Sequence, residues 1–157
     1  MSVRRVMLRR MGTLIGYFAA TDDDDALGAI VRDDDEPFGA GYDEVVVKGI
    51  DPVVMLEPAE ELVTGRSPAE LRADPRRAAL VGMIEDGEVV VLALSDAFRD
   101  ALAQHEDAAL REVAERWAVA EGVHYEPADL ADFLRELAGL ASRAVAGGAR
   151  LYCWACA

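Results

Sequence analysis

Apolar positions along this chain recur with two periods, and the switch between them marks the elements. Residues 13–19 (TLIGYFA) are short, apolar and rich in β-formers, and predict a strand. Thr21 or Asp22 then caps a short helix whose first turn is acidic, as the positive end of a helix favours. A second acidic run, residues 33–36, would sit at that helix's negative end, so the helix is predicted to stop near Arg32. Residues 37–41 (PFGAG) read as loop, and residues 44–48 (EVVVK) as a second strand. Asp51 and Pro52 form a helix start, and the helix is predicted to run to Thr64, with Gly65 as its stop. Pro58 lies inside that span and predicts a kink or break near Leu56 and Glu57. Val53, Val54, Leu56, Leu62 and Val63 are expected to face the core. Ser67 and Glu70 make a capping box that opens a short helix before Pro75.

In the second half, Asp86 and Gly87 form a turn into residues 88–94 (EVVVLAL). This apolar run lacks alternation, which predicts a strand covered on both faces near the sheet's centre. Ser95 caps a helix reaching about Gln104. Residues 108–119 predict another helix, with Leu110, Val113, Ala114 and Trp117 spaced to face inward. After a connector at 122–127, residues 129–146 carry one apolar stripe: Leu130, Phe133, Leu134, Leu137, Leu140, Ala141 and Ala144. Gly147 and Gly148 end that helix, leaving residues 149–157 as a terminal strand. Strands and helices come in mixed order, without repeats or a linker. The expected fold is therefore a single α+β domain: a small mixed or antiparallel sheet that includes the N- and C-terminal strands, packed against four to six helices.

A chain of 157 residues with 52% apolar content can bury a core of its own. Charge changes the picture more. Thirty acidic residues face sixteen basic ones, a formal charge of −14, and four of the arginines lie in the first ten residues. With those four set aside from −14, residues 11–157 carry −18. Such a body repels nucleic acid and anionic membranes and attracts basic partners. No apolar stretch reaches the ~20 residues of a membrane span. MSVRRVMLRR followed by MGTLIGYFAA imitates a secretory leader, and Arg4 and Arg5 hint at a twin-arginine address. Gly12, Thr13, Gly16 and Tyr17 make a poor apolar region, so residues 1–10 are expected to be a flexible basic extension of a cytoplasmic protein.

Candidate chemistry is sparse. Cys153 and Cys156 stand in C-x-x-C spacing within LYCWACA. A reactive pair of this kind belongs at a helix N-terminus, where amides and dipole stabilise the thiolate. On a strand, residues three apart point to opposite faces, which places the sulfurs badly for a disulfide or a shared metal. A zinc site would also need two further ligands, and His105 and His124 have no supporting motif. His124 and Tyr125 sit in the connector before the longest helix, where a histidine could serve as a base or line a pocket. The acidic runs fail calcium-loop spacing, because Leu27 or Phe38 falls where glycine is required. Phosphate-loop, G-x-S-x-G and H-E-x-x-H motifs are absent, and neither cofactor nor metal is expected.

MGTLIGYFAATD, from Met11, resembles the M-G-x-I-G-Y-F opening of the YfbM-like proteins, a small bacterial family. Later landmarks follow in the same order: Lys48, Gly49, Ile50 and Asp51 leading to LVTG at 62–65, a strand then helix over 90–102, Tyr125 with Pro127, a long helix and a last strand. The tyrosine and proline are separated here by Glu126, and DPVVMLEPAEELVTG replaces an aromatic-rich segment. The resemblance implies an α+β domain over 11–157 with strands at both ends, and it brings no catalytic residues. Tyr17, in the opening motif, joins His124 and Tyr125 as a candidate binding residue. Three functions follow as expectations: a non-enzymatic, immunity-like binding protein for a basic partner, a small-molecule or hydrolytic pocket at His124 and Tyr125, or a dithiol switch at Cys153 and Cys156.

Overall fold

The structure, a computed structural model, describes residues 14–33 and 35–156. The expectation of a flexible basic extension over residues 1–10 lies outside the described residues. Five strands form one antiparallel sheet: β1 (Leu14–Ala20), β2 (Glu44–Lys48), β3 (Leu80–Ile84), β4 (Val89–Ala93) and β5 (Arg150–Cys156), in the order β2-β1-β5-β4-β3. Both terminal strands lie in the sheet, as the sequence predicts for an α+β domain, and the structure makes them neighbours. Six α-helices accompany them among the described residues: α1 (Asp23–Leu27), α2 (Glu57–Thr64), α3 (Pro68–Ala73), α4 (Asp96–Gln104), α5 (Asp107–Ala118) and α6 (Pro127–Ala146).

Cross-strand partners fix which side chains share a face. Ile15, Ala155, Val90 and Met83 lie in one row, and Tyr17, Cys153, Leu92 and Leu80 in the next. This face carries the larger core, built with Phe98 and Leu102 of α4, Leu110 and Trp117 of α5 and the whole predicted stripe of α6. The opposite face carries Phe18, Val89, Val91, Tyr152 and Trp154 against Ala26, Ala29 and Ile30. Gly16 is required there: a Cβ would come within 2.1 Å of the Trp154 indole, which donates to Glu44 Oε2 at 3.0 Å.

The caps predicted from sequence are present. Asp22 accepts from Asp25 N, Ser95 from Phe98 N, and Ser67 and Glu70 close a reciprocal capping box. Four expectations need correction. The acidic helix ends at Leu27, well before Arg32, although Ala29 and Ile30 beyond it are still buried. The helix expected from Asp51 starts only at Glu57, because Pro58 fits its first turn, and Val53 and Val54 are exposed. The central strand is β5, while β4 alternates buried and half-buried positions. Finally, β3 was not predicted at all. Its LVGMI carries a register shift between Leu80 and Gly82, and a bulge of this kind blurs a period-two signal.

Candidate functional site

Two of the sequence candidates, Tyr17 and Tyr125, meet at the segment that leads from β2 to α2, residues 48–56, which crosses the helix-side face as a strap. It has little regular secondary structure, so its backbone carbonyls need donors from elsewhere. Tyr125 Oη donates to the carbonyl of Lys48 at 2.9 Å, and Tyr17 Oη to that of Ile50 at 2.5 Å. Arg77 Nη2 reaches the carbonyls of Pro52 at 3.3 Å and Val53 at 3.1 Å. Trp117 Nε1 donates to that of Met55 at 3.1 Å. The Asp51 carboxylate accepts the amides of Val53, Val54 and Met55, the Asx-type turn for which its type and position suit it. Gly49 has φ +75°, and a Cβ there would stand 2.5 Å from the Tyr125 hydroxyl.

A buried ionic network ties the strap to the residues that lead into β3. Arg77 Nε lies 3.3 Å from Glu60 Oε1, and its Nη2 lies 3.4 Å from Glu57 Oε2. Glu60 is only 2% exposed. Burial pushes its carboxyl up to about 7, against the pull of the Arg77 guanidinium. Burial likewise pushes the Cys153 thiol up to about 12, with Asp51 adding to it. The Tyr17 phenol is raised well above its usual value, first by burial and then by Cys153, Asp51 and Glu60. Each shift disfavours the ionised, nucleophilic form. The arrangement holds a chain segment in place; it does not activate a nucleophile.

Tyr17 and Tyr125 are therefore brought together on one strap, 17 from the sheet and 125 from the α5–α6 connector. His124 diverges from them: it is exposed and makes no hydrogen bond among the described residues. A groove of about 310 Å³ between α5 and α6 is lined by Asp107, Arg111, Glu115, Pro127, Asp132 and Arg135, with neither His124 nor Tyr125 among its lining residues. Cys153 lies in the helix-side core, whereas Cys156 packs on the opposite face, so the sheet parts the two sulfurs. That geometry gives the C-x-x-C spacing no route to an intramolecular disulfide without rebuilding β5. Among the described residues no group of three or more His, Cys, Asp or Glu could hold a metal ion, and no helix is long and apolar enough to cross a membrane.

Arg77, Glu60 and Trp117 are the members of this network that sequence reasoning did not single out. Trp117 was legible as core, but its indole donor was not. Nothing in RRAAL or PAEEL distinguishes the buried Arg77 and Glu60 from their exposed neighbours. Comparison with protein-family models, with curated proteins and with solved structures yields no match.

Proposed function

We propose that this chain is a non-enzymatic binding protein, of the immunity or antitoxin kind, that captures a basic protein partner by charge. One observation carries the reading: among the described residues, most arginines are paired with the chain's own carboxylates. Nine of the eleven arginines among the described residues form ion pairs with the chain's own carboxylates, Arg77 and Arg76 from partly or fully buried positions. The excess of acid, a formal −14, is therefore expressed at the surface, on exposed residues such as Asp24, Asp33, Asp35, Glu88, Asp129 and Glu136. A field of that sign speeds encounter with cationic proteins and discourages nucleic acid. The opening motif from Met11, with the strands at both ends that the resemblance implies, is the support for placing the chain among the YfbM-like proteins. Two cysteines held apart by the sheet fit a cytoplasmic setting, where thiols stay reduced.

The test is capture by the immobilised full chain at low and raised salt, with retained proteins identified by mass spectrometry. The reading expects an excess of basic proteins that leave as salt rises, since screening shortens the Debye length from ~10 Å at 0.1 M to ~3 Å at 1 M. A retained set without that bias, or one indifferent to salt, would remove its support.

A further inference from the structure

The helices on the larger-core side lie over β1, β2 and β5 and stop short of the β3–β4 hairpin. On that same face Leu80 is 55% and Met83 51% exposed, and their cross-strand partners Leu92 and Val90 are only half-buried. Arg77, three residues before Leu80, reaches the strap carbonyls of Pro52 and Val53. The open area is thus an apolar strip where one more helix would complete the layer.

The hairpin's own charge is acidic. Between Arg77 and Arg99 the chain contains no lysine or arginine, while Glu85, Asp86 and Glu88 are exposed at the hairpin's turn. Backbone strain is concentrated here as well. Ala78 (φ 54°), Glu85 (φ 54°) and Asp86 (φ 56°) are the non-glycine residues with left-handed φ among the described residues, and they bracket β3 on both sides. Each such residue costs on the order of 1–2 kcal/mol, and strain of this kind gathers at sites of function. Strand addition fits poorly, because the shift between Leu80 and Gly82 interrupts the register at the outer edge.

Resting on the charge reading above, we propose that the uncovered face of β3 and β4 is where the basic partner docks. The occupant is an amphipathic helix. Its apolar stripe lies on Leu80, Met83, Val90 and Leu92, and its lysines or arginines meet Glu85, Asp86 and Glu88. Helix-in-groove recognition works in this way, with apolar anchors giving affinity and flanking charge giving orientation.

The probe is a synthetic helical peptide with a leucine stripe flanked by lysines, titrated against the full chain by calorimetry at several salt concentrations. Leu80→Ser combined with Met83→Ser should weaken binding about tenfold and leave its salt dependence unchanged. Both side chains are half exposed, so the thermal midpoint should hold and serves as the folding control. Glu85→Gln with Asp86→Asn and Glu88→Gln should weaken binding and flatten the salt dependence. If binding is salt-sensitive but indifferent to the Leu80 and Met83 changes, this docking face is wrong and the charge reading survives. If no salt-sensitive binding occurs at all, both fall. Binding that appears only after residues 1–10 are removed would assign the face to the chain's own arginine-rich start. Self-association of the free chain, lost in the Leu80 and Met83 variant, would assign it to a second copy. Either result overturns the proposal.

Discussion

At the β2 edge the chain folds back over the sheet, and the carbonyls of Lys48, Ile50, Pro52, Val53 and Met55 each receive a donor from a distant side chain. At the β3 edge no helix among the described residues packs on the same face, and Leu80 and Met83 stand half in solvent. Both regions are irregular, yet they carry opposite energetic signatures. A buried carbonyl without a donor costs about 1–3 kcal/mol, so the buried bond at Ile50 and the partly buried ones at Pro52 and Met55 leave the strap little freedom to be anything else. An exposed apolar strip has lost nothing by waiting and gains by being covered. The residues with the most perturbed ionisation, Tyr17, Glu60 and Cys153, belong to the first region. There the shifts record burial within a latch, which is why perturbed titration alone is an unsafe guide to chemistry in this chain.

Cutting the latch at its ionic centre should have the largest effect. Arg77→Met removes the donor to two strap carbonyls and leaves Glu60 without its cation. Breaking one side of a buried pair is expected to cost about 3–5 kcal/mol, read as a shift in the urea midpoint at a pH above 7, where Glu60 is mostly ionised. The double variant Arg77→Met with Glu60→Leu should recover a large part of that loss, because two apolar residues do not leave an uncompensated charge. A loss no bigger than that of an exposed arginine, Arg72→Met for example, would show that the strap does not depend on Arg77.

Next in size is a dependence on pH. Glu60 has a folded-state pKa of about 7 against an ordinary carboxyl value of 4.5. Between those values the folded chain binds more protons at this site than the unfolded chain does, so this contribution to stability falls as pH rises. It is fully present below the unfolded value and lost as pH passes through 7, a swing on the order of 3 kcal/mol. Glu60→Gln should therefore flatten the decline in unfolding free energy between pH 5 and 8 relative to the parent chain. The other groups with lowered carboxylate values, Asp23 and Glu70, act in the reverse sense at lower pH and are common to both proteins. Parallel profiles for parent and variant would place the Glu60 proton elsewhere.

The contrast between the two edges also explains what could be read in the sequence. The stripe of α6, the inward positions of α5, the capping box at Ser67 and the strand Glu44–Lys48 are local patterns, and the structure reproduces them. The placement of Cys153 and Cys156 on opposite faces follows from strand periodicity alone. The strap was misread because Asp51 and Pro52 give the same signal whether they open a helix or a single turn. Here the carboxylate caps three amides, and the helix waits for Pro58. Burial of Arg77 and Glu60 is a tertiary fact, set by residues 17 positions apart meeting under the strap. The β3 strand was hidden by its bulge, by Gly82, which makes room for Leu27, and by an exposed Leu80 and Met83 that look like core in a one-dimensional pattern.

The smallest expected effect separates the two tyrosines that the sequence singled out. Tyr17 is wholly buried, so Tyr17→Phe leaves the Ile50 carbonyl in an apolar setting without its donor, at about 1–3 kcal/mol. Tyr125 is partly open to water, which can replace its hydroxyl at the Lys48 carbonyl, and Tyr125→Phe should cost about 0.5–1 kcal/mol. Urea unfolding of the two variants side by side reads the difference directly, since the same atom is deleted in each. Equal losses would mean that the strap is as wet at Ile50 as at Lys48, and the distinction between a closed edge and an open one would lose its physical basis. A larger loss at Tyr17 would show that its hydroxyl seats the strap, and a ligand would have to displace a 2.5 Å hydrogen bond to reach it.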